Sequence, residues 1–256
     1  MINIFEDGDK VLLIDSKSRR YLQKLTVNGQ FHTHTGFVEY NDILGKIEGT
    51  TVKTSNGSSF LCLRPTISDF VLKMPRGAQV IYPKDLGTIL MLADISVGSK
   101  VLEAGIGSGA LSLALLRSGA KVTGYEIRPD FAVRAKANVE GFVSKQLLEN
   151  YTVEQRDVYE GISEVDLDSI ILDLPEPWKV LSHAEKALKA GGVLVSYLPS
   201  ICQVSQLHEA LSKTKFVLPE TLEVLNRTWH VKGAAVRPDH RMVAHTGFLT
   251  HTRIIK

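Results

Sequence analysis

The spacing of apolar positions changes character along this chain near residue 65. Before that point, short stretches alternate apolar and polar side chains: VLLID (11–15), RRYLQKLTV (19–27) and GFVEY (36–40), separated by Gly, Asn and Asp. That is the period of half-buried strands. Asn56-Gly57, set between TTVKT and SSFLCLR, marks a hairpin. A small antiparallel β-domain is expected over residues 1–65, with His32 and His34 on one strand face. Pro65 to Pro75 reads as a connector. A helix is expected from Pro83, with Leu86, Ile89, Leu90 and Ala93 at helical spacing and Tyr82 at the loop end before it.

From residue 97 strand and helix patterns alternate. KVLEAG, KVTGYE, YTVEQRD, SIILDL and GGVLVSYLP read as strands; GALSLALLRSG, PDFAVRAKANVEGF, the run around SHAEKALKAGG, and SICQVSQLHEALSKT read as helices. Gly119 and Gly191 stand where helices should end. Apolar strands alternating with amphipathic helices predict an α/β domain over residues 66–256, a doubly wound parallel sheet covered on both faces. The tail, ETLEVLNRTWHVKG and HTGFLTHTRIIK, predicts two longer strands in a closing antiparallel hairpin, with Gly233 to His240 between them.

Composition narrows this only a little. A 256-residue chain with 44% hydrophobic and 23% charged residues can bury a sizeable core, and a net charge of +2 neither demands nor excludes nucleic acid. Cys62 and Cys202 fit no metal spacing and are expected as free, buried thiols, with an inter-subunit disulfide as the alternative. His32 and His34 lack a third ligand, so no metal is expected. No apolar run approaches a membrane span, and MINIFEDGDK lacks the features of a signal peptide, so a cytoplasmic location is expected. Lys17, Arg19, Arg20 and Lys24 form a basic edge, either a solvated strand rim or a phosphate contact.

The chemistry begins at KVLEAGIGSGALSL (100–113). An apolar run ends in Glu103, and Gly105, Gly107 and Gly109 follow before a helical pattern. This is a strand, a tight turn and a helix start, a G-x-G-x-x-A pattern that serves adenosine-containing cofactors. A dinucleotide would set its pyrophosphate over this turn, where a carboxylate two residues before the first glycine repels it. S-adenosylmethionine has no phosphate; it carries an ammonium and a sulfonium, which an acid suits. Glu126, closing the next strand, is placed for ribose hydroxyls. Asp157 and Asp173 close two further strands, Asp157 beside the expected adenine. One or two of the four acids would merely cap the following helix on the blander reading. Asp173 opens DLPEPW, whose prolines stiffen the turn and whose Trp178 offers a flat face for a planar base; the plainer alternative is a buried tryptophan at a helix entry.

Taken together, IYPKD (81–85), EAGIGSG (103–109), YEIRP (125–129), RDVYEG (156–161), DLPEPW (173–178), SYLPS (196–200) and RPDHRMVAHTGFL (237–249) resemble, in order, the blocks of the tRNA (adenine-N1)-methyltransferases, class I enzymes that modify adenine 58 of the T-loop. Archaeal-type members also modify adenine 57. The resemblance implies a class I methyltransferase domain behind the β-domain, with S-adenosylmethionine as cofactor and S-adenosylhomocysteine as product. It further implies tRNA as partner and a homotetramer. Glu103, Gly105, Gly107, Ser108, Gly109, Glu126, Asp157 and Val158 would line the cofactor pocket. Gln79 is a further cofactor candidate, although Gly77-Ala78 precede it where many relatives carry larger polar residues. Asp173 would hold the target adenine, Tyr82 and Tyr197 would flank it, and Arg237, His240, His245 and Thr246 would close the site or meet the RNA. Two competing expectations are a non-catalytic tRNA-binding paralogue and an isoaspartate or small-substrate methyltransferase.

Overall fold

The computed structural model describes residues 4–77 and 79–256. The chain divides into two compact units, 1–74 and 75–256. The first contains β1 (Lys10–Asp15), β2 (Arg20–Lys24), β3 (Gln30–Thr33), β4 (Gly36–Glu39), β5 (Thr51–Lys53), β6 (Ser59–Leu63) and α1 (Ile67–Lys73). Four strands form an antiparallel sheet in the order β2-β1-β6-β5, and β3 and β4 pair separately. The alternation seen in the sequence buries Val11, Leu13, Phe60 and Cys62 with Phe5, Leu25 and Val38 in one apolar core.

Three expectations change here. The stretch after Pro65 holds a helix, α1, opened by a Thr66–Asp69 capping box. It belongs to the first unit, since Asp69 accepts from Arg20 at 2.6 Å and Lys10 lies over the Phe70 ring, so the division falls at residue 74 and not at 65. His34 lies in the β3–β4 turn, so the two histidines do not share a strand face; His32 packs against Phe37 and His34 meets Arg19. The basic edge is partly neutralised, because Arg19 pairs with Asp15 and Arg20 with Asp69.

The second unit contains α2 (Pro83–Leu92), β7 (Lys100–Ala104), α3 (Ala110–Arg117), β8 (Lys121–Glu126), α4 (Pro129–Glu140), α5 (Lys145–Leu148), β9 (Tyr151–Gln155), β10 (Leu167–Leu172), α6 (Leu181–Ala187), β11 (Leu188–Leu198), α7 (Ile201–Leu211), β12 (Phe216–Glu223), β13 (Trp229–Lys232), β14 (Ala235–Pro238) and β15 (Phe248–Ile254). Its seven-stranded sheet runs β12-β15-β11-β10-β7-β8-β9. The pairs from β11 to β9 are parallel, while β15 is antiparallel to both β11 and β12. The doubly wound domain with its closing antiparallel pair is therefore present. Leu102, Ile170, Leu172, Leu194 and Leu198 join Ala184, Leu207 and Leu211 of the helices in a continuous core.

The run through SHAEKALKAGG ends its helix at Ala187; Leu188 is buried, pairs with Leu167, and Gly191 falls inside β11. The tail departs further. The first long strand breaks after Glu223, and β13 and β14 form a separate hairpin turning at Gly233. The chain leaves the sheet there because the Val224 carbonyl accepts from the Lys84 ammonium, 2.7 Å away. Cys62 is buried and its thiol is pushed up to about 11 by burial, but Cys202 is exposed on α7. The expectation of two buried thiols fails at position 202 because the first turn of α7 faces outward. No described helix is long and apolar enough to cross a membrane.

Candidate active site

The sheet reverses its winding between β7 and β10, and in open α/β sheets ligands sit beyond the carboxyl ends of the strands at such a point. The turn after β7 and the turn after β10 touch there. Asp173 N–H donates to the Ala104 carbonyl at 3.0 Å, and Gly105 N–H donates to Tyr125 at 2.9 Å. Gly105 has φ +83°, and a Cβ on it would collide with the carbonyl oxygen of Asp173. Glycine at 105 is thus required twice, by backbone conformation and by the approach of the second turn.

The structure brings three of the four strand-end acids within electrostatic reach of one another. Glu103 is buried and accepts from Ser112 Oγ of α3 at 2.6 Å; Ser112 in turn accepts from Tyr151 at 3.0 Å. Burial, above all, pushes Glu103 up to about 8, with Asp173 and Glu126 adding to it against the lowering effect of Ser112. Asp173, whose carboxylate has no hydrogen-bond partner among the described residues, is raised to about 7 by burial and then by Glu126. Glu126 accepts from Gly107 N–H at 3.1 Å and from Arg128 N–H at 3.0 Å, so the second acid holds the glycine turn in shape. Asp157 caps the short turn at Val158–Glu160 by accepting from Tyr159 N–H. It is the one acid for which the helix-capping alternative is realised.

The remaining predicted cofactor residues fall in two groups. Gly109 caps α3, Ser108 is buried with its hydroxyl unpartnered among the described residues, and Val158 is buried beside the turn capped by Asp157. Gln79 is exposed, and the neighbouring Ala78 lies outside the described residues. Clustered acids beside a glycine turn and an orphaned hydroxyl, with no basic side chain among the described residues bonded to Glu103 or Asp173, fit a cationic adenosine cofactor. A phosphate-bearing one would meet repulsion.

This electrostatics has a measurable consequence. Both carboxyls have folded values above their unfolded ones, so the stability they contribute is full below about pH 4 and lost as pH rises through about 7 to 8. A bound ammonium and sulfonium reverse that trend at Glu103 by favouring its ionised form. The rise in thermal midpoint produced by S-adenosylmethionine is therefore expected to grow between pH 5.5 and pH 8.5, which differential scanning at fixed ligand excess measures. An equal rise at both ends would contradict the assignment.

On the acceptor side, Tyr82 caps α2 and is half-buried. The Tyr197 hydroxyl is buried beside Thr246 and is raised to about 12, first by burial, with Asp85, Asp173 and Tyr82 adding to it against the lowering effect of Thr246. Gly247 packs on the Tyr197 ring: a Cβ there would lie 2.5 Å from Cζ. Trp178 is partly buried and packs against the core of the sheet. Thr246 turns inward to donate to Asp85 Oδ2 at 2.7 Å. His245 sits between Glu223 Oε1 at 2.7 Å and the Pro199 carbonyl at 2.9 Å. Both partners accept, so both ring nitrogens donate, and the imidazole is held raised, first by Glu223. Arg237 and His240 are exposed on and just after β14. The sequence reading missed Lys84, Asp85, Ser112 and Gly247, although IYPKD and HTGFL contain three of them.

A family model described as the tRNA methyltransferase complex GCD14 subunit matches residues 59–237, and one described as TrmI-like N-terminal matches residues 4–52. The chain is 40% identical to the tRNA (adenine(58)-N(1))-methyltransferase TrmI of Thermus thermophilus, over 95% of this chain and 96% of that one. It belongs to the tRNA (adenine-N1)-methyltransferase family. A second relative, the tRNA (adenine(57)-N(1)/adenine(58)-N(1))-methyltransferase TrmI of Methanocaldococcus jannaschii, is 37% identical over 95% of this chain and 94% of its own. A crystal structure described as a SAM-dependent O-methyltransferase from Thermotoga maritima superposes with a TM-score of 0.94 at 33% identity, covering 99% of this chain and 96% of that one. The family's class I methyltransferase fold is the one described above. Among the described residues no group of three or more His, Cys, Asp and Glu side chains could hold a metal.

Proposed function

We propose that the chain transfers a methyl group from S-adenosylmethionine to N1 of adenine 58 in the tRNA T-loop. The observation that carries this reading is the contact of Gly105 with the backbone of Asp173. It places an unpartnered carboxylate at the switch point, directly beside the cofactor turn. Glu103, Ser108, Glu126 and Asp157 are the residues that would hold the cofactor, with Gly105, Gly107, Gly109 and Val158 shaping its seat. Bound there, S-adenosylmethionine supplies a methyl group already activated by its sulfonium.

Adenine N1 attacks through its in-plane lone pair, so no deprotonated nucleophile has to be generated. What the protein must supply is position and compensation for the positive charge arriving on the ring. Asp173 does both by accepting from the N6 amine. Tyr82 and Tyr197 flank the base, whose extrusion from the T-loop costs roughly a few kcal/mol and is offset by stacking. Recognition is of the folded tRNA, not of a linear sequence. Arg237 and His240 are exposed and free to meet the RNA backbone, and the N-terminal unit is a second contact or an assembly surface. Adenine 57 is a second acceptor to be tested, because the archaeal relative is named for both positions.

The chain works as a cytoplasmic homotetramer on this reading. One subunit of 28.2 kDa and net charge +2 offers limited surface to a tRNA. In β13–β14, Trp229 pairs with Pro238 and Val231 with Val236, putting these four on one face, and Trp229, Val231 and Val236 are exposed. A two-stranded hairpin with a bare apolar face calls for a partner. Sedimentation at working concentration is expected to give the tetramer, and a monomer would count against it. The test of the activity is methylation of unmodified tRNA with labelled cofactor, followed by mapping of the product. The expected nucleotide is 1-methyladenosine at position 58; label in another nucleotide, or in none, overturns the reading.

A further inference from the structure

Lys84 is nearly buried and its ammonium has three hydrogen-bond partners, matching its three protons: Asp85 Oδ1 at 2.8 Å, the Val224 carbonyl at 2.7 Å and Thr246 Oγ1 at 2.5 Å. Asp85 is fully buried, and its other oxygen accepts from the same threonine. The three side chains thus close a ring that joins the start of α2 to residues 140 and 162 positions away. A buried ion pair is a weak device for stability alone, since apolar residues of similar volume often serve as well. Its location suggests another use.

Val224 and Thr246 are the two ends of the excursion from the sheet that contains β13, β14, Arg237 and His240. Tyr82 begins the turn that carries Lys84. Thr246 precedes Gly247, which packs on the Tyr197 ring. One ammonium therefore ties both ends of the excursion to the turn that Tyr82 begins, one residue from the Gly247–Tyr197 contact. His245, bridging Glu223 and Pro199, is a second tie at the same base.

We propose that the Lys84–Asp85–Thr246 ring is a positioning device for the acceptor. Lys84 is its central positioning residue, holding Tyr82, Tyr197 and residues 225–245 in the arrangement that receives the extruded base. The proposal rests on the tRNA-methylating reading, adds Lys84 and Asp85 to it, and gives Thr246 a positioning role. It places the ring on the acceptor side only, so cofactor binding is independent of it.

The test uses the full chain with Thr246→Val, Thr246→Ser and Lys84→Met. Valine keeps the shape of threonine without its hydroxyl, and serine restores the hydroxyl. Thr246→Val is expected to lower kcat for tRNA methylation about ten-fold, because small misplacements of reacting groups are costly. Lys84→Met is expected to lower it further. Thr246→Ser should recover most of the loss. Affinity for S-adenosylhomocysteine, measured by calorimetry, should stay within about two-fold throughout. Deuterium uptake should rise over residues 225–245 in Thr246→Val and not over residues 100–113.

Unchanged kcat and KM in Thr246→Val and Lys84→Met would overturn the proposal. So would a fall in cofactor affinity parallel to the fall in kcat, which marks a general loss of structure. Should the unsubstituted protein fail to methylate tRNA, the activity assignment falls separately. The exchange measurement still decides the ring, because unaltered uptake over residues 225–245 in Thr246→Val would sink it.

Discussion

Asp173→Ala is expected to reduce tRNA methylation by roughly 10²–10³-fold, the range seen when one group aimed at developing charge is removed. Affinity for S-adenosylmethionine is expected to change little. The carboxylate has no hydrogen-bond partner within the described protein, so its removal orphans nothing. It also relieves Glu103 and Glu126 of a neighbouring negative charge. A drop in turnover at constant cofactor affinity is thus the signature of a group that acts on the acceptor. Asp173→Asn should fall nearly as far, because its amide lacks the negative charge that balances the methylated ring. In the unsubstituted enzyme the carboxyl is raised to about 7, so kcat/KM should fall as pH drops below that value. Steady-state kinetics with in vitro transcribed tRNA measures all three, and wild-type turnover in Asp173→Ala would remove the assigned role.

Gly105→Ala is expected to abolish cofactor binding and to destabilise the fold. The φ of +83° costs an L-residue about 1–2 kcal/mol. The added methyl would also run into the Asp173 carbonyl oxygen and press on the Leu174 side chain, and overpacking of this kind costs typically 1–3 kcal/mol more. Backbone cannot yield as a flexible side chain can, so the two turns must separate at the point where donor and acceptor meet. Calorimetry should show no S-adenosylmethionine binding, and the thermal midpoint should fall by several degrees. Ala substituted at Gly45, where nothing lies within 4 Å, serves as a control for strain without collision. Retained cofactor affinity in Gly105→Ala would show that the approach of the two turns is dispensable.

Much of this site is local chemistry, and local chemistry is written in order along the chain. Glu103 and the three glycines fall within seven residues, and Glu126 and Asp173 follow apolar strands. The winding of a doubly wound sheet then brings such strand ends to one edge. Asp173 meeting Gly105 is a consequence of the order β10-β7 in the sheet. The Thr66–Asp69 capping box is equally legible, although the helix it opens lies between two prolines that read as a connector.

Other features had no local signature. Lys84 and Thr246 are 162 positions apart, and neither residue type announces a buried partner. Gly247 is explained only by the Tyr197 ring lying against it across the β11–β15 pair. Breakage of the tail strand at Val224 follows from an ammonium on another element taking its carbonyl, which strand propensity cannot foresee. The sequence by itself determined the order of elements, the cofactor turn and the row of acids, since each depends on residues a few positions apart. The tertiary structure alone decided which side chains close around the acceptor, because those contacts join segments that meet only after the sheet has formed.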